Sequence, residues 1–274
     1  MTSPPWRGAM LTAASLAACA PGAVFAADPV LQTSAGVDYS TGHYGATQPT
    51  DTLIVPLTAK LVFGDWSFRA LIPFARVKGP ADITVLADEG AEIVDNPGEE
   101  QGETGPLPTR SGLSDVSLSA VRSFNQIAGT PAYFDATARV RLPTGNRHKG
   151  LGVGAVDYFL EGEIGGDWRQ GGAYADLGRR FLGDLPGRPR RDGWQTSVGG
   201  WWNPTSKFQV GASLDWHAAS TAGVAPYGIA GGYVAYRLTR SLKLQLYGGA
   251  GVTSASPEAD VSLSLIFRPT GRRH

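Results

Sequence analysis

Apolar and polar residues alternate along most of this chain with a period of two. In the segment 133–145, YFDATARVRLPTG, Phe134, Ala136, Ala138, Val140 and Leu142 share one parity, while Asp135, Thr137, Arg139 and Arg141 share the other. Successive side chains of a strand point to opposite faces, so this segment has a greasy face and a charged one. Similar segments of about 9 to 12 residues recur, separated by turn chemistry, which is the pattern of a membrane β-barrel. About twelve can be read: 31–41, 52–63, 66–77, 114–124, 132–142, 156–166, 173–181, 194–202, 207–217, 227–238, 242–252 and 260–267. No stretch holds a helical period, and glycine and proline punctuate nearly every gap.

The apolar parity continues across the turns. Leu53, Val55, Leu57, Ala59, Leu61 and Phe63 lead into Gly64-Asp65, and Trp66, Phe68, Ala70, Ile72 and Phe74 follow. A hairpin pairing Phe63 with Trp66 puts both rows on one side. Pairing Leu238 with Leu242, and Trp202 with Phe208, passes the same test. Connections 64–65, 125–131, 167–172, 203–206 and 239–241 are short, whereas 78–113, 143–155 and 182–193 are long. Short turns on one rim and long loops on the other predict an antiparallel up-and-down transmembrane barrel, all-β, with periplasmic turns, extracellular loops and both termini on the periplasmic side.

Aromatic placement separates such a barrel from a soluble sandwich. On the apolar parity, Phe63, Trp66, Phe124, Phe134, Trp202, Phe208 and Phe267 sit near the short-turn ends, and Phe74, Phe181, Trp194 and Trp216 near the long-loop ends. Aliphatic residues, alanine and glycine fill the middles, as between the aromatic girdles of a membrane barrel. A sandwich would gather its aromatics mid-strand, in the core.

Composition agrees. The 274 residues carry 24 basic and 24 acidic side chains, which gives no reason to expect a nucleic-acid partner. The N-terminus reads as an export signal: Arg7, the apolar run AMLTAASLAACA, the Pro21-Gly22 break, then small residues that favour cleavage after Ala26. A second reading takes Leu16-Ala17-Ala18-Cys19 as a lipobox with Cys19 acylated. The expected organisation is a signal peptide, 1–26, and a barrel, 27–274, with an acidic extracellular loop at 78–113 and a periplasmic tail at 268–274. Cleavage would leave a mature protein without cysteine, safe from wrong disulfides in an oxidising compartment.

The charged parity is the candidate functional surface. Lys60, Arg69, Asp135, Arg139, Arg141, Asp157, Glu161, Glu163, Asp176, Arg180, Asp215 and Lys243 are predicted to line a lumen. Asp115 and Lys207 share that parity, as do Gln245, Tyr247, Ser213, Thr137, Ser117 and Ser119. Ionised groups facing lipid cost ~2 to 4 kcal/mol each at the midplane, so such density implies water or pairing. Two readings stay open for Arg139 and Arg141 opposite Asp157, Glu161 and Glu163: a constriction that orients a polar solute, or a structural ladder of ion pairs filling a narrow barrel. The loop 78–113 holds Asp82, Asp88, Glu89, Glu92, Asp95, Glu99, Glu100 and Glu103. It reads as a solvated acidic loop, with cation binding or a lid folded into the mouth as the functional alternatives. Asp215, His217 and Ser220 form the one tempting catalytic cluster, but Ser220 falls in a loop without an elbow or oxyanion motif. No enzyme activity, cofactor or metal site is expected, since the histidines lack zinc spacing.

Three short patterns, Ser111-Gly112-Leu113-Ser114-Asp115-Val116, Arg141-Leu142-Pro143-Thr144-Gly145 and Gly150-Leu151-Gly152-Val153-Gly154 leading to Asp157-Tyr158, resemble the outer-membrane family labelled "MetA-pathway of phenol degradation". The resemblance spans roughly 31–267 and implies an outer-membrane barrel tied to uptake of aromatic or other organic compounds, with no catalytic residues. Val261, Leu263, Leu265 and Phe267 also resemble the terminal assembly signal of outer-membrane proteins, here followed by a short tail. The expected protein is a monomeric outer-membrane channel for passive diffusion or uptake of small solutes. Its expected partners are membrane lipid, lipopolysaccharide and the barrel-assembly machinery. The alternatives are a closed structural or surface-interaction barrel and, more remotely, an outer-membrane hydrolase.

Overall fold

The structure is a computed structural model and describes residues 29–80, 83–86, 90–93, 107–185 and 190–269. The expected export signal, Cys19, the end of the tail and most of the acidic residues of loop 78–113 lie outside these. Strands β1 (Val30–Gly42), β2 (Thr50–Phe63) and β3 (Trp66–Lys78) open the chain, followed by a small hairpin, β4 (Ile83–Leu86) and β5 (Gly90–Ile93). The wall continues through β6 (Thr109–Leu113), β7 (Val116–Asn125), β8 (Ala132–Leu142), β9 (Asp157–Trp168), β10 (Gly171–Phe181) and β11 (Gly193–Trp202). It is completed by β12 (Phe208–His217), β13 (Tyr227–Arg237), β14 (Leu242–Gly251) and β15 (Ala259–Phe267). Each wall strand pairs antiparallel with its sequence neighbours, and β1 pairs with both β2 and β15, so the sheet closes on itself. The pieces β6 and β7 both pair with β3 and make one stave, which gives a closed 12-strand antiparallel barrel. Closure leaves no sheet edge and satisfies the backbone polar groups within the wall.

The alternation read from the sequence places the faces. Leu57, Leu118, Leu160, Ile164, Leu177, Val198, Leu214, Val234, Leu246 and Leu263 project outward, each more than a third exposed. Phe124, Phe134, Trp168, Trp202, Phe208 and Phe267 follow at the short-turn rim, and Tyr39, Phe74, Tyr158, Phe181, Trp194 and Trp216 toward the long-loop rim. A belt of this kind around a whole molecule far exceeds the apolar patches that soluble monomers leave in water. Among the described residues no helix is long and apolar enough to cross a membrane.

Registers confirm two of the three hairpin pairings. Phe63 opposes Trp66, and Leu238 donates its N–H to the Leu242 carbonyl at 2.9 Å. The third is corrected: Trp202 opposes Val210, and Phe208 opposes Tyr236. A shift of two residues preserves the face of every side chain, so parity alone could not detect it. Strand β12 begins at Phe208, which leaves Lys207 exposed in the turn rather than on the wall. The turn between β9 and β10 shrinks to Arg169-Gln170, since Trp168 already pairs with Gly171.

The largest correction concerns 78–113. This stretch is not one loop, because β6 extends the wall along β3, with Phe74 opposite Leu113 and Leu71 opposite Ser117. Going from one pair to the next consumes an extra residue on the β6–β7 side, the signature of a β-bulge. Ser114 and Asp115 both turn inside, at 0% and 3% exposure. The bulge breaks the alternation, which is why the strand's outer half reads as loop.

Candidate functional site: the barrel interior

Cross-strand registers arrange the inward side chains in rows. Lys60 opposes Arg69, Arg69 opposes Ser119, Ser119 opposes Arg139, Arg139 opposes Phe159 and Phe159 opposes Arg180. A second row, toward the short turns, carries Asp135, Glu163, Asp176, Ser197 and Asp215. From β8 to β10 the wall therefore carries Arg139 and Arg180, flanking Phe159, above the acidic row. The two rows lie four residues apart along a strand, about 13 Å, with Thr137, Glu161 and Gln195 on the row between them.

The arginines of β8 and β10 are tightly held. Arg141 donates from Nε and Nη2 to Asp157 Oδ2 at 3.1 and 2.5 Å, while Arg190 Nη1 and the Gly183 N–H reach Asp157 Oδ1 at 2.6 and 2.8 Å. Asp157 and Arg141 are 0% exposed, so this is a sealed ion-pair knot that pins the loop after β10 to the wall. Arg139 lies flat on Phe159, 3.4 Å from the ring centroid, and pairs with Glu161 at 3.5 Å. Gln195 Nε2 donates to the same Glu161 at 2.8 Å, and the Tyr133 hydroxyl donates to Glu163 at 2.7 Å. Arg180 Nη1 donates to His217 Nδ1 at 2.7 Å and to the Ala218 carbonyl at 2.8 Å, and the His217 ring stacks on Tyr227.

Interior aromatics lie along the wall. A Cβ on Gly165 would fall 2.5 Å from Tyr133 Cζ, one on Gly199 2.7 Å from Tyr174, one on Gly211 2.4 Å from Tyr233 and one on Gly172 2.3 Å from Trp201. Each ring occupies the place a neighbouring strand's side chain would take. Large rings are thus accommodated sideways, and glycine on the inward parity is the requirement for it. Phe159, Tyr133, Tyr174, Trp201 and Tyr233 were absent from the expected lining. The signal was present, since they alternate with charged or small residues, but an aromatic on that parity reads equally as a misplaced girdle residue.

The long-loop mouth is packed with apolar side chains. Tyr44, Ile54, Ala75, Val77, Ile83 and Leu151 form one buried cluster, and Leu86, Val153 and Leu185 a second. Ile83 and Leu86 of β4 pack into these clusters, and Glu92 lies on β5. The three patterns quoted above meet beside these clusters. Asp115 Oδ1 accepts the Gly145 N–H at 2.9 Å, and its Oδ2 accepts the Val153 N–H at 2.8 Å. Thr144 Oγ1 donates to the Ser114 carbonyl at 3.0 Å and accepts the Val116 N–H at 2.9 Å. A Cβ on Gly152 would sit 2.3 Å from Asp115 Oδ1 and 2.8 Å from Gly145 Cα. The bulge carboxylate thereby draws the loop after β8 inward.

The possible catalytic cluster is not assembled. Asp215 accepts from Ser213 at 2.7 Å, His217 is engaged by Arg180, and Ser220 is buried, its backbone carbonyl taken by the Arg191 N–H. Among the described residues no group of His, Cys, Asp and Glu could hold a metal ion.

No family model matches the chain, and no curated protein matches it. Among solved structures, the COG4313 outer membrane channel from Pseudomonas putida F1 aligns with a TM-score of 0.69 at 14% identity, covering 92% of this chain and 100% of that one. The P. putida toluene transporter TodX aligns at a TM-score of 0.45 and 9% identity over 91% of each chain. The CymD monoaromatic hydrocarbon channel aligns at 0.42 and 9%, over 90% of this chain and 89% of that one. At these identities the first is a likeness of fold, and the others are too loose to bear on the site.

Proposed function

We propose that this protein is an outer-membrane channel through which small solutes, organic and aromatic compounds among them, diffuse passively. The observation that carries the reading is a closed barrel whose outer face is an apolar belt between aromatic rims and whose inner face bears rows of ionised and aromatic side chains. Lipid explains the first face, and a hydrated path explains the second. The resemblance to the family labelled by phenol degradation supports the organic solute, and the meeting of its three patterns at Asp115 gives them a shared physical role. The same reading includes export with cleavage after Ala26, folding by the barrel-assembly machinery and residence as a monomer among lipopolysaccharide.

Lys60, Arg69, Asp135, Glu161, Glu163, Asp176, Arg180, Asp215 and Lys243 are the proposed lining, with Arg139 between Phe159 and Glu161. Arg141 and Asp157 serve the lumen indirectly, by anchoring the loop that bounds it. The packed mouth favours a second reading, a closed structural barrel. Single-channel recording of refolded protein in a planar bilayer separates them. The channel predicts discrete steps, and Asp115→Ala, which releases the loop after β8, should raise open probability or conductance. Asp135→Asn with Asp176→Asn should shift the reversal potential toward anions. A folded barrel that stays silent both as wild type and as Asp115→Ala would sink the channel reading.

A further inference from the structure

Charged side chains are rare on the outward face of the wall. Among the described strand residues they are Asp51, Arg76, Lys78, Arg122 and Arg179. Arg122 is held at the short-turn rim by Asp65, 2.9 Å away, and lies over Trp66 and Phe124. Arg179 lies over the Trp194 ring. Asp51 accepts the Tyr39 and Thr41 hydroxyls at 3.1 and 2.8 Å. Arg76 and Lys78 differ. Both are exposed, and among the described residues no hydrogen bond or ion pair engages either side chain.

These two cations are consecutive outward residues at the long-loop end of β3, and β6 lies alongside. Register sets Arg76 opposite Ser111 and Lys78 opposite Thr109, and all four side chains are exposed. Outward neighbours on one strand are about 7 Å apart and paired strands about 5 Å apart, so two cations and two hydroxyls spring from one small square. Asp51 flanks Lys78 on the β2 side, which leaves the patch net positive. Apolar surface adjoins it. Phe74, the next outward residue of β3 toward the membrane centre, opposes Leu113, and the two are 52% and 42% exposed. Phe74 belongs to the aromatic rim, so the cations stand just beyond the level at which the belt ends. A cation on the lipid face is costly at the midplane and costs little at the interface. There the stems of Arg and Lys lie along apolar surface while their heads reach anionic lipid groups.

We infer that Arg76, Lys78, Ser111 and Thr109 form a docking site for the phosphorylated glycolipid head of lipopolysaccharide, with its acyl chains against Phe74 and Leu113. The guanidinium and the ammonium converge on the phosphate oxygens in charge-assisted hydrogen bonds, and the hydroxyls add donors. The β-bulge supplies half of the square, because it lets β6 extend the wall beside the outer end of β3. The site rests on the reading of the preceding section that the long-loop rim faces the outer surface among lipopolysaccharide, and it names the residues that hold that lipid.

The test reads binding rather than conduction, so its outcome is separate from that of the channel. Refolded full-length barrel in a neutral detergent is titrated with lipid A carrying both phosphates, and bound lipid is counted by native mass spectrometry. Saturable binding is expected, weakened about tenfold or more in Arg76→Gln/Lys78→Gln and retained in Arg76→Lys/Lys78→Arg. Dephosphorylated lipid A should bind wild type about tenfold or more weakly than the phosphorylated form. Arg122→Gln, at the other rim, should bind phosphorylated lipid A as wild type does. In lipid-free detergent Arg76→Gln/Lys78→Gln should melt no lower than wild type, since the side chains it replaces are exposed and unpaired. Unchanged binding in that variant, or equal binding of the dephosphorylated lipid, would overturn the site. So would displacement of lipid A by an equal concentration of inorganic phosphate, because the lipid would then add nothing to recognition. A lower melting point accompanying the loss would overturn it too, because the pair would then be structural. A barrel that conducts without binding loses this inference and keeps the channel, and a silent barrel that binds does the reverse.

Discussion

Asp157 shows what a single inward residue can carry. Its oxygens receive Arg141, Arg190 and the Gly183 N–H with no exposed surface remaining. Removing one member of a buried ion-pair knot strands the others, at a cost of about 3 to 5 kcal/mol. Asp157→Asn should therefore lower the urea midpoint of the refolded barrel markedly. An Asp157→Asn barrel as stable as wild type would remove the structural role argued for the knot. Gly165 makes a second residue-scale case. In Gly165→Ala the new Cβ meets Tyr133 Cζ at 2.5 Å and the Ala173 carbonyl at 2.7 Å. The ring must swing off the wall, so folded yield should fall and, in a conducting barrel, conductance should drop. Pairing it with Tyr133→Ala should restore part of both. The charge of Asp157 and its parity were legible in the chain. Its partner Arg190, 33 positions away in a long loop, was not.

At the scale of elements, the β6–β7 bulge decides how the mouth is built. The extra residue points Asp115 at two backbone N–H groups of the loop after β8, and charge-assisted bonds of this kind contribute about 1.5 to 3 kcal/mol each. Asp115→Ala should let that loop open locally while the barrel stays folded. Tryptic cleavage after Arg147 or Lys149, the first and last residues of its short helical turn, should then accelerate about tenfold or more. Equal cleavage rates in variant and wild type would show the loop to be held by its apolar contacts alone. Strand positions and faces were legible because period-two alternation runs unbroken through β8 and nearly every other wall strand. The outer half of the β6–β7 stave was hidden because a bulge inverts that alternation. The Trp202 register was misjudged because a slip by two residues leaves the alternation untouched.

For the whole molecule, the outward face is the testable quantity. Leu118 sits near the middle of the β6–β7 stave, on the exposed belt. Leu118→Arg should cost about 2 to 4 kcal/mol in bilayer-folded barrel, as for a cation at the membrane midplane. The same substitution at Ser119, on the opposite face, should cost much less. Urea titration in lipid vesicles reads the difference. Equal costs would mean that lipid does not surround the belt.

The sequence by itself determined the strand count, the two faces and their aromatic rims, because these follow from a period of two and from which solvent each face must meet. It also determined that the interior would be charged. Only the tertiary structure decided which charges neutralise one another, because that depends on register around a closed wall and on loops folding back from distant positions. It drew the three short patterns together at Asp115, and laid the inward rings across glycines of the next strand. It also set Arg76 and Lys78 beside Ser111 and Thr109 on the outward face, a juxtaposition that the bulged stave imposes and that no alternation of residue types could announce.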